Sequence, residues 1–229
     1  MDSLDDDQTV QRMSEEASNG ALQKRADEER DPRANYELYS CYFYGIGVDP
    51  DANEALRRLH LASDAGLAKA QHELAKLYYS GIGKFFERNT DKAIRLFRLA
   101  AEQGLPESQL VMASMCLVRE NNPLEAERWM RLAADQNHAE AQYLYGVFLS
   151  NGNDTTPRPS EAIDWILKAY NNGHQKAAEK LTVLYGEYPN LDRTTKDAML
   201  AAISKAAKAT RDVQIPRKRF VHAAPEGVQ

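Results

Sequence analysis

Ala70-Gln71-His72-Glu73-Leu74-Ala75-Lys76-Leu77-Tyr78-Tyr79-Ser80-Gly81-Ile82-Gly83 decides the fold. Ala70, Leu74, Leu77 and Tyr78 share one face at helical spacing, and small Ala75 beside Leu74 lets a partner helix approach closely. The glycines then end the helix, because glycine takes positive φ at a C-terminus without steric cost. Asn89-Thr90-Asp91 offers capping oxygens for a second helix. That helix carries Ala93, Leu96, Phe97, Ala100 and Ala101 at offsets 0, 3, 4, 7 and 8, and Gly104 closes it.

The same pattern recurs on both sides. Upstream, Ala34, Leu38 and Tyr42 lead to Gly45-Ile46-Gly47, and Ala55, Leu59, Ala62 and Ser63 lead to Gly66. There Arg58 replaces the apolar residue of offset 3. Downstream, Ser108, Met112, Ala113 and Cys116 form a degenerate first helix, followed by Ala126, Trp129, Met130, Ala133 and Ala134, with Asn137 in the glycine position. Arg119-Glu120-Asn121-Asn122-Pro123 replaces the glycine turn in that copy. A fourth copy holds Ala141, Tyr145, Gly146 and Leu149, then Ala162, Trp165, Ile166, Ala169 and Gly173, with Ser160 read as its cap. The second helices begin their stripes at Ala55, Ala93, Ala126 and Ala162, a period of about 36 residues. Ala177, Leu181 and Tyr185, then Met199, Ala202 and Ile203, extend the frame to a weak fifth copy with a capping box at Thr194–Asp197. Backwards, Ala26 falls on frame in a polar helix.

This pattern resembles the Sel-one-like repeat, a branch of the tetratricopeptide superfamily, over about residues 33–187. The fold class expected is all-α, a right-handed α-solenoid of four to five stacked helix-turn-helix repeats. The divisions expected are an acidic helical cap at 1–32, the solenoid at 33–187, a capping helix at 188–210 and a basic disordered tail at 211–229. The resemblance implies a non-catalytic adaptor that holds a partner protein or peptide on a concave face. The alternative is a structural or regulatory subunit locked into a larger assembly. Transferring the tetratricopeptide groove positions gives Arg33, Tyr36, Phe43, Lys69, His72, Lys76, Tyr79, Glu107, Leu110, Glu140 and Tyr143. That groove would run from cationic and aromatic to acidic. Phe85 and Phe86 form a second candidate patch, either exposed or with one of them filling a core slot.

Bulk chemistry narrows the classes. Of 229 residues, 43% are hydrophobic and 28% charged, which suits a folded domain. The net charge of −5 argues against nucleic acid or an anionic membrane as the main partner. Residues 1–31 hold ten Asp/Glu against four Lys/Arg, so the acidic excess lies in the lead-in. Cys41 and Cys116 match no zinc or disulfide pattern and read as buried thiols of a reducing compartment. The opening Met1-Asp2-Ser3-Leu4-Asp5-Asp6-Asp7 lacks the basic and apolar regions of a secretory leader, and no window is apolar enough to span a bilayer. The expectation is a cytoplasmic chain, monomeric alone, without membrane insertion or cofactor. His60, His72, His138, His174 and His222 are scattered, no Gly-x-Ser-x-Gly elbow occurs, and the Gly-x-Gly pairs follow helices without a Lys-Ser/Thr. No catalytic constellation is visible.

Overall fold

The computed structural model describes residues 19–81, 86–152 and 156–214. Among them every regular element longer than a single bridge is an α-helix. The helices are α1 (19–27), α2 (Pro32–Tyr44), α3 (Ala52–Asp64), α4 (Ala68–Ser80), α5 (Thr90–Glu102), α6 (Pro106–Val118), α7 (Pro123–Ala134), α8 (Ala139–Asn151), α9 (Pro159–Asn171), α10 (Ala177–Glu187) and α11 (Arg193–Gln214). They divide into two compact units, Met1–Ala141 and Gln142–Gln229.

In the first unit the pairs α2/α3, α4/α5 and α6/α7 are hairpins, and α3 packs on α4 as α5 packs on α6. The repeat stripes form the core. Ala34, Leu38, Ala55, Leu59, Ala62, Ala70, Leu74, Ala93, Phe97, Ala113, Ala126 and Trp129 are all buried. Alanines fill the positions where helices cross, which lets backbones approach. In the second unit, Ile163, Ile166, Ala169, Leu181, Leu184, Met199 and Ala202 form one cluster from α9, α10 and α11. The fifth hairpin, α10/α11, therefore exists. Gly146 of α8 meets α9 so closely that an added Cβ would stand 2.5 Å from Ile166 Cγ1 and 2.9 Å from the Ala162 carbonyl oxygen.

The turns follow the sequence reading where it rested on glycine. Gly81 ends α4 at φ 68° and Gly45 ends α2 at φ 72°. Asn137 stands in for glycine at φ 59°, and Asn121 supplies the left-handed residue in the turn that lacks one. Asn89 accepts from the Lys92 amide at 2.9 Å as a cap should. Two caps differ from expectation. Ser160 lies inside α9, whose first residue is Pro159, fixed in φ and lacking an N–H to satisfy. The cap of α11 is Asp192, which accepts from the Thr195 amide (2.9 Å) and hydroxyl (2.6 Å), two residues earlier than a Thr194–Asp197 box would require.

A row of buried amides pins successive hairpins. Gln71 Nε2 donates to the Ser63 carbonyl (3.5 Å), and Gln109 Nε2 donates to the Ala101 carbonyl (3.1 Å). Gln71 Oε1 accepts from Gln103 Nε2 at 2.8 Å, and Gln109 Oε1 accepts from Gln136 Nε2 at 3.0 Å. Asn35 holds the equivalent place in the first hairpin, and its Nδ2 points to the Ala26 carbonyl of α1 at 3.5 Å. The segment α1 thus occupies the site of a preceding repeat's second helix. Asn19 Nδ2 donates to the Ile46 carbonyl (2.8 Å) and adds a second tie.

Candidate functional site

The first helix of each hairpin carries the transferred groove positions at the same places along its length. Arg33, Lys69, Glu107 and Glu140 are each the second residue of α2, α4, α6 and α8, and all four are exposed. Three residues on, Tyr36, His72, Leu110 and Tyr143 are half-buried. In the first unit Arg33, Tyr36 and Lys69 line one groove of about 590 Å³, together with Glu37, Leu67, Gln103 and Leu105. Leu67 and Leu105 cap α4 and α6 without any side-chain hydrogen bond. The first-turn amides and the two cations face one carboxylate, Glu37, so positive charge predominates in the lining. Tyr36 sits 5.9 Å from buried Tyr39, and burial raises both phenols, that of Tyr39 to about 12.

A second depression of about 390 Å³ holds Tyr79, Arg88, Thr90, Ser114, Met115, Val118 and Arg119. The Arg88 guanidinium lies over the Tyr79 ring, 5.7 Å from its centroid. Phe43 is exposed; it meets Tyr44 edge to face and Tyr39 at a tilt of 43°.

Other transferred residues are engaged by neighbouring side chains. His72 Nδ1 lies 2.7 Å from the hydroxyl of buried Ser108, and its ring meets Phe97 edge-on at 5.3 Å. Burial pushes its pKa below the usual histidine range, so the ring is a neutral packing element between repeats. Lys76 pairs with Glu73 on its own helix at 2.9 Å. Glu107 faces His138 Nε2 at 3.8 Å, while His138 Nδ1 accepts from the Ala141 amide at 3.2 Å. In the second unit Tyr143 stacks flat on His174 with centroids 4.1 Å apart.

The exposed-patch reading does not hold for Phe86, which instead fills a core slot, the alternative that the sequence offered. Phe86 is only 9% exposed and packs on Tyr78, with ring centroids 4.6 Å apart, and on His60. The loop residue fills the gap between α3 and α4, where burying an aromatic ring is worth more than exposing it. Phe85 lies outside the described residues, as does the basic tail segment Arg217–Phe220.

Sequence reasoning missed Gln103, Leu105, Arg88 and Arg119 as groove lining. They come from helix ends and turns, and only the repeat frame, projected across neighbouring copies, could have pointed to them. It also missed the ion cluster under α1. Arg58 is 1% exposed, its Nη1 lies 2.5 Å from Asp27, and its Nε donates to Glu54 at 2.7 Å. Among the described residues no three His, Cys, Asp or Glu side chains gather as metal ligands do. None of the described helices is long and apolar enough to cross a membrane.

The comparisons agree with this geometry. The Sel1 repeat model matches residues 32–67, 68–105, 106–138 and 139–174, one hairpin each. The chain is 28% identical over 185 residues to the chitin synthase regulator SKT5 of Malassezia restricta, and 30% identical over 159 residues to chitin synthase regulatory factor 3 of Schizosaccharomyces pombe. These alignments cover 77% and 65% of this chain but only 12% and 17% of those proteins. Among solved structures, a Sel1 repeat protein from Oxalobacter formigenes superposes with a TM-score of 0.66 at 26% identity, over 74% of this chain and 49% of that one. A protective antigen of uropathogenic Escherichia coli with an SLR fold gives 0.68 at 24% identity, over 83% of this chain and 41% of that one, a likeness of fold. Four consecutive matches spanning more than half of the residues, each coinciding with a hairpin, make this α-solenoid a member of the Sel1 repeat family.

Proposed function

We propose that the chain is a non-catalytic regulatory adaptor that holds a carboxylate-bearing segment of a partner protein on the first helices of its N-terminal repeats. The observation that carries this reading is the groove shared by Arg33, Tyr36 and Lys69. It joins two exposed cations to an aromatic anchor and to two helix starts whose amides lack side-chain caps. Similarity to chitin synthase regulators supports a regulatory scaffold rather than a catalyst. The buried thiols of Cys41 and Cys116, neither of them in a disulfide, support residence in a reducing compartment such as the cytoplasm.

The test is affinity capture with mass spectrometry on the wild type and on R33A/Y36A/K69A, with folding of both checked by circular dichroism. Partners lost only from the variant, and released from the wild type by moderate salt, support the groove. Equal recovery from both proteins moves the site elsewhere.

A further inference from the structure

The second helices of the first three hairpins show the same three residues to solvent. At positions i, i+4 and i+7 these are Arg57, Leu61 and Asp64 in α3, Arg95, Leu99 and Glu102 in α5, and Arg128, Leu132 and Asp135 in α7. All nine are exposed, and the leucines remain 43%, 47% and 40% accessible. The spacing puts each trio on one stripe, opposite the alanines that face the core. Three stacked repeats therefore carry an arginine row, a leucine row and an acidic row, in that order along the helices. In α9 the corresponding residues are Asp164, Lys168 and Asn171, so the rows stop after three hairpins.

The acids sit where their own helices disfavour them. Asp64 and Glu102 are the last residues of α3 and α5, and Asp135 caps the C-terminus of α7, at the negative end of each dipole. In α7 the last turn also carries Arg131, which meets Asp135 at 3.9 Å, and in α9 it carries Lys168. Asp64 and Glu102 make no ion pair among the described residues, and an external partner with positive charge would supply one to each of them and a second to Asp135.

We infer that this face is a self-complementary dimer surface whose occupant is a second copy of the chain, related by a two-fold axis running along the leucine row. Such an axis reverses the direction of each helix. It sets Arg57 against the partner's Asp64, Arg95 against the partner's Glu102 and Arg128 against the partner's Asp135, with leucine on leucine at the axis. An isologous contact needs this property, one patch that complements itself on rotation. Arg57 and Arg128 already pair with Glu54 and Glu125 at 2.6 and 2.8 Å. Those are exposed pairs within one helix, which hold little stability and can be shared with a facing acid. Such a dimer differs from the monomer expected from sequence and would leave the opposite helices of each hairpin free for the adaptor groove.

Charge exchange tests it. Sedimentation equilibrium of the full chain, up to about 200 µM at low salt, should show a reversible dimer. R57E/R95E/R128E makes both outer rows acidic, and D64R/E102R/D135R makes both basic. Each variant alone should self-associate at least about tenfold more weakly than wild type. Mixed in equal amounts they should form a one-to-one heterodimer, since every facing pair is again of opposite sign. All six positions are exposed, so circular dichroism should match wild type. A wild type that stays monomeric, variants that dimerise as wild type does, or a mixture that fails to pair would each overturn the inference.

Discussion

Arg58 Nη1 donates to Asn35 Oδ1 across the first hairpin at 3.2 Å, the place where later hairpins join two amides. In those copies a glutamine at the end of the second helix supplies the donor, as Gln103 does for Gln71. The first copy has Ala65 at that point, and the guanidinium of Arg58 substitutes. One buried cation thereby satisfies Asn35, pairs with Glu54 on its own helix and reaches Asp27 of α1. Arg58→Ala should lower stability by about 2–4 kcal/mol, because it orphans a buried amide oxygen and breaks a partly buried ion network. Chemical denaturation checks this, and exchange of the α1 amides should rise more than that of α7.

The same cluster predicts an acid limb. Hydrogen bonding from Arg58 holds the Asp27 carboxyl below its usual range, and hydrogen bonding from Arg57 does the same for Glu54. A depressed carboxylate contributes stability that is present above its unfolded pKa. That contribution is lost as pH falls through the folded value. Wild type should therefore lose melting temperature below about pH 4, and D27N should show a smaller loss over the same interval.

Gly146→Ala should cost about 1–3 kcal/mol, since the new methyl meets Ile166 and the Ala162 carbonyl with no room to shift. Gly81→Val should cost about 1–2 kcal/mol for a different reason, a β-branched residue at φ 68° with Arg88 only 3.2 Å from the added Cβ. Thermal melts of both variants distinguish these from Gly104→Ala, where an added Cβ meets no atom within 4 Å and only the φ penalty remains.

Ser63→Ala runs the other way. The Ser63 hydroxyl is buried and finds no hydrogen-bond partner among the described residues, whereas the equivalent positions are Ala101 and Ala134. Removing it should leave stability unchanged or raise it by about 1 kcal/mol, measured by urea denaturation.

Cys116 should resist alkylation. Burial and nearby Glu120 push its thiol up to about 11, so the thiolate at pH 8 is about a hundredfold scarcer than for an ordinary cysteine. Labelling at Cys116, followed by peptide mass spectrometry, should be slow in buffer and fast in denaturant.

Hairpins, turn glycines and core stripes were legible because each is a local rule repeated in phase. Asn137 could be placed at a left-handed turn because the frame demanded one. What stayed hidden depends on contacts between copies. The pattern marked Arg58 as a departure, but only the position of Asp27 explains why a cation is tolerated there. Tyr143 and His72 occupy groove columns in the frame, yet His174 and Ser108 draw them into packing. The frame offered a core slot to one of Phe85 and Phe86, but the packing of Phe86 on Tyr78 is a tertiary contact that periodicity does not specify. The cap of α11 moved to Asp192 because two residues competed for one role and the earlier one also gained a hydroxyl partner.

The amide junctions bear on how such a chain changes length. Gln71 and Gln109 each seek only a main-chain oxygen from the helix before them, and every helix offers one there whatever its side chains. Asn35 accepts the same offer from a segment that is not a full repeat. A duplicated or deleted hairpin would therefore find its junction already made, without any compensating substitution in its neighbours. The joint is generic, and the array can grow or shrink one cassette at a time.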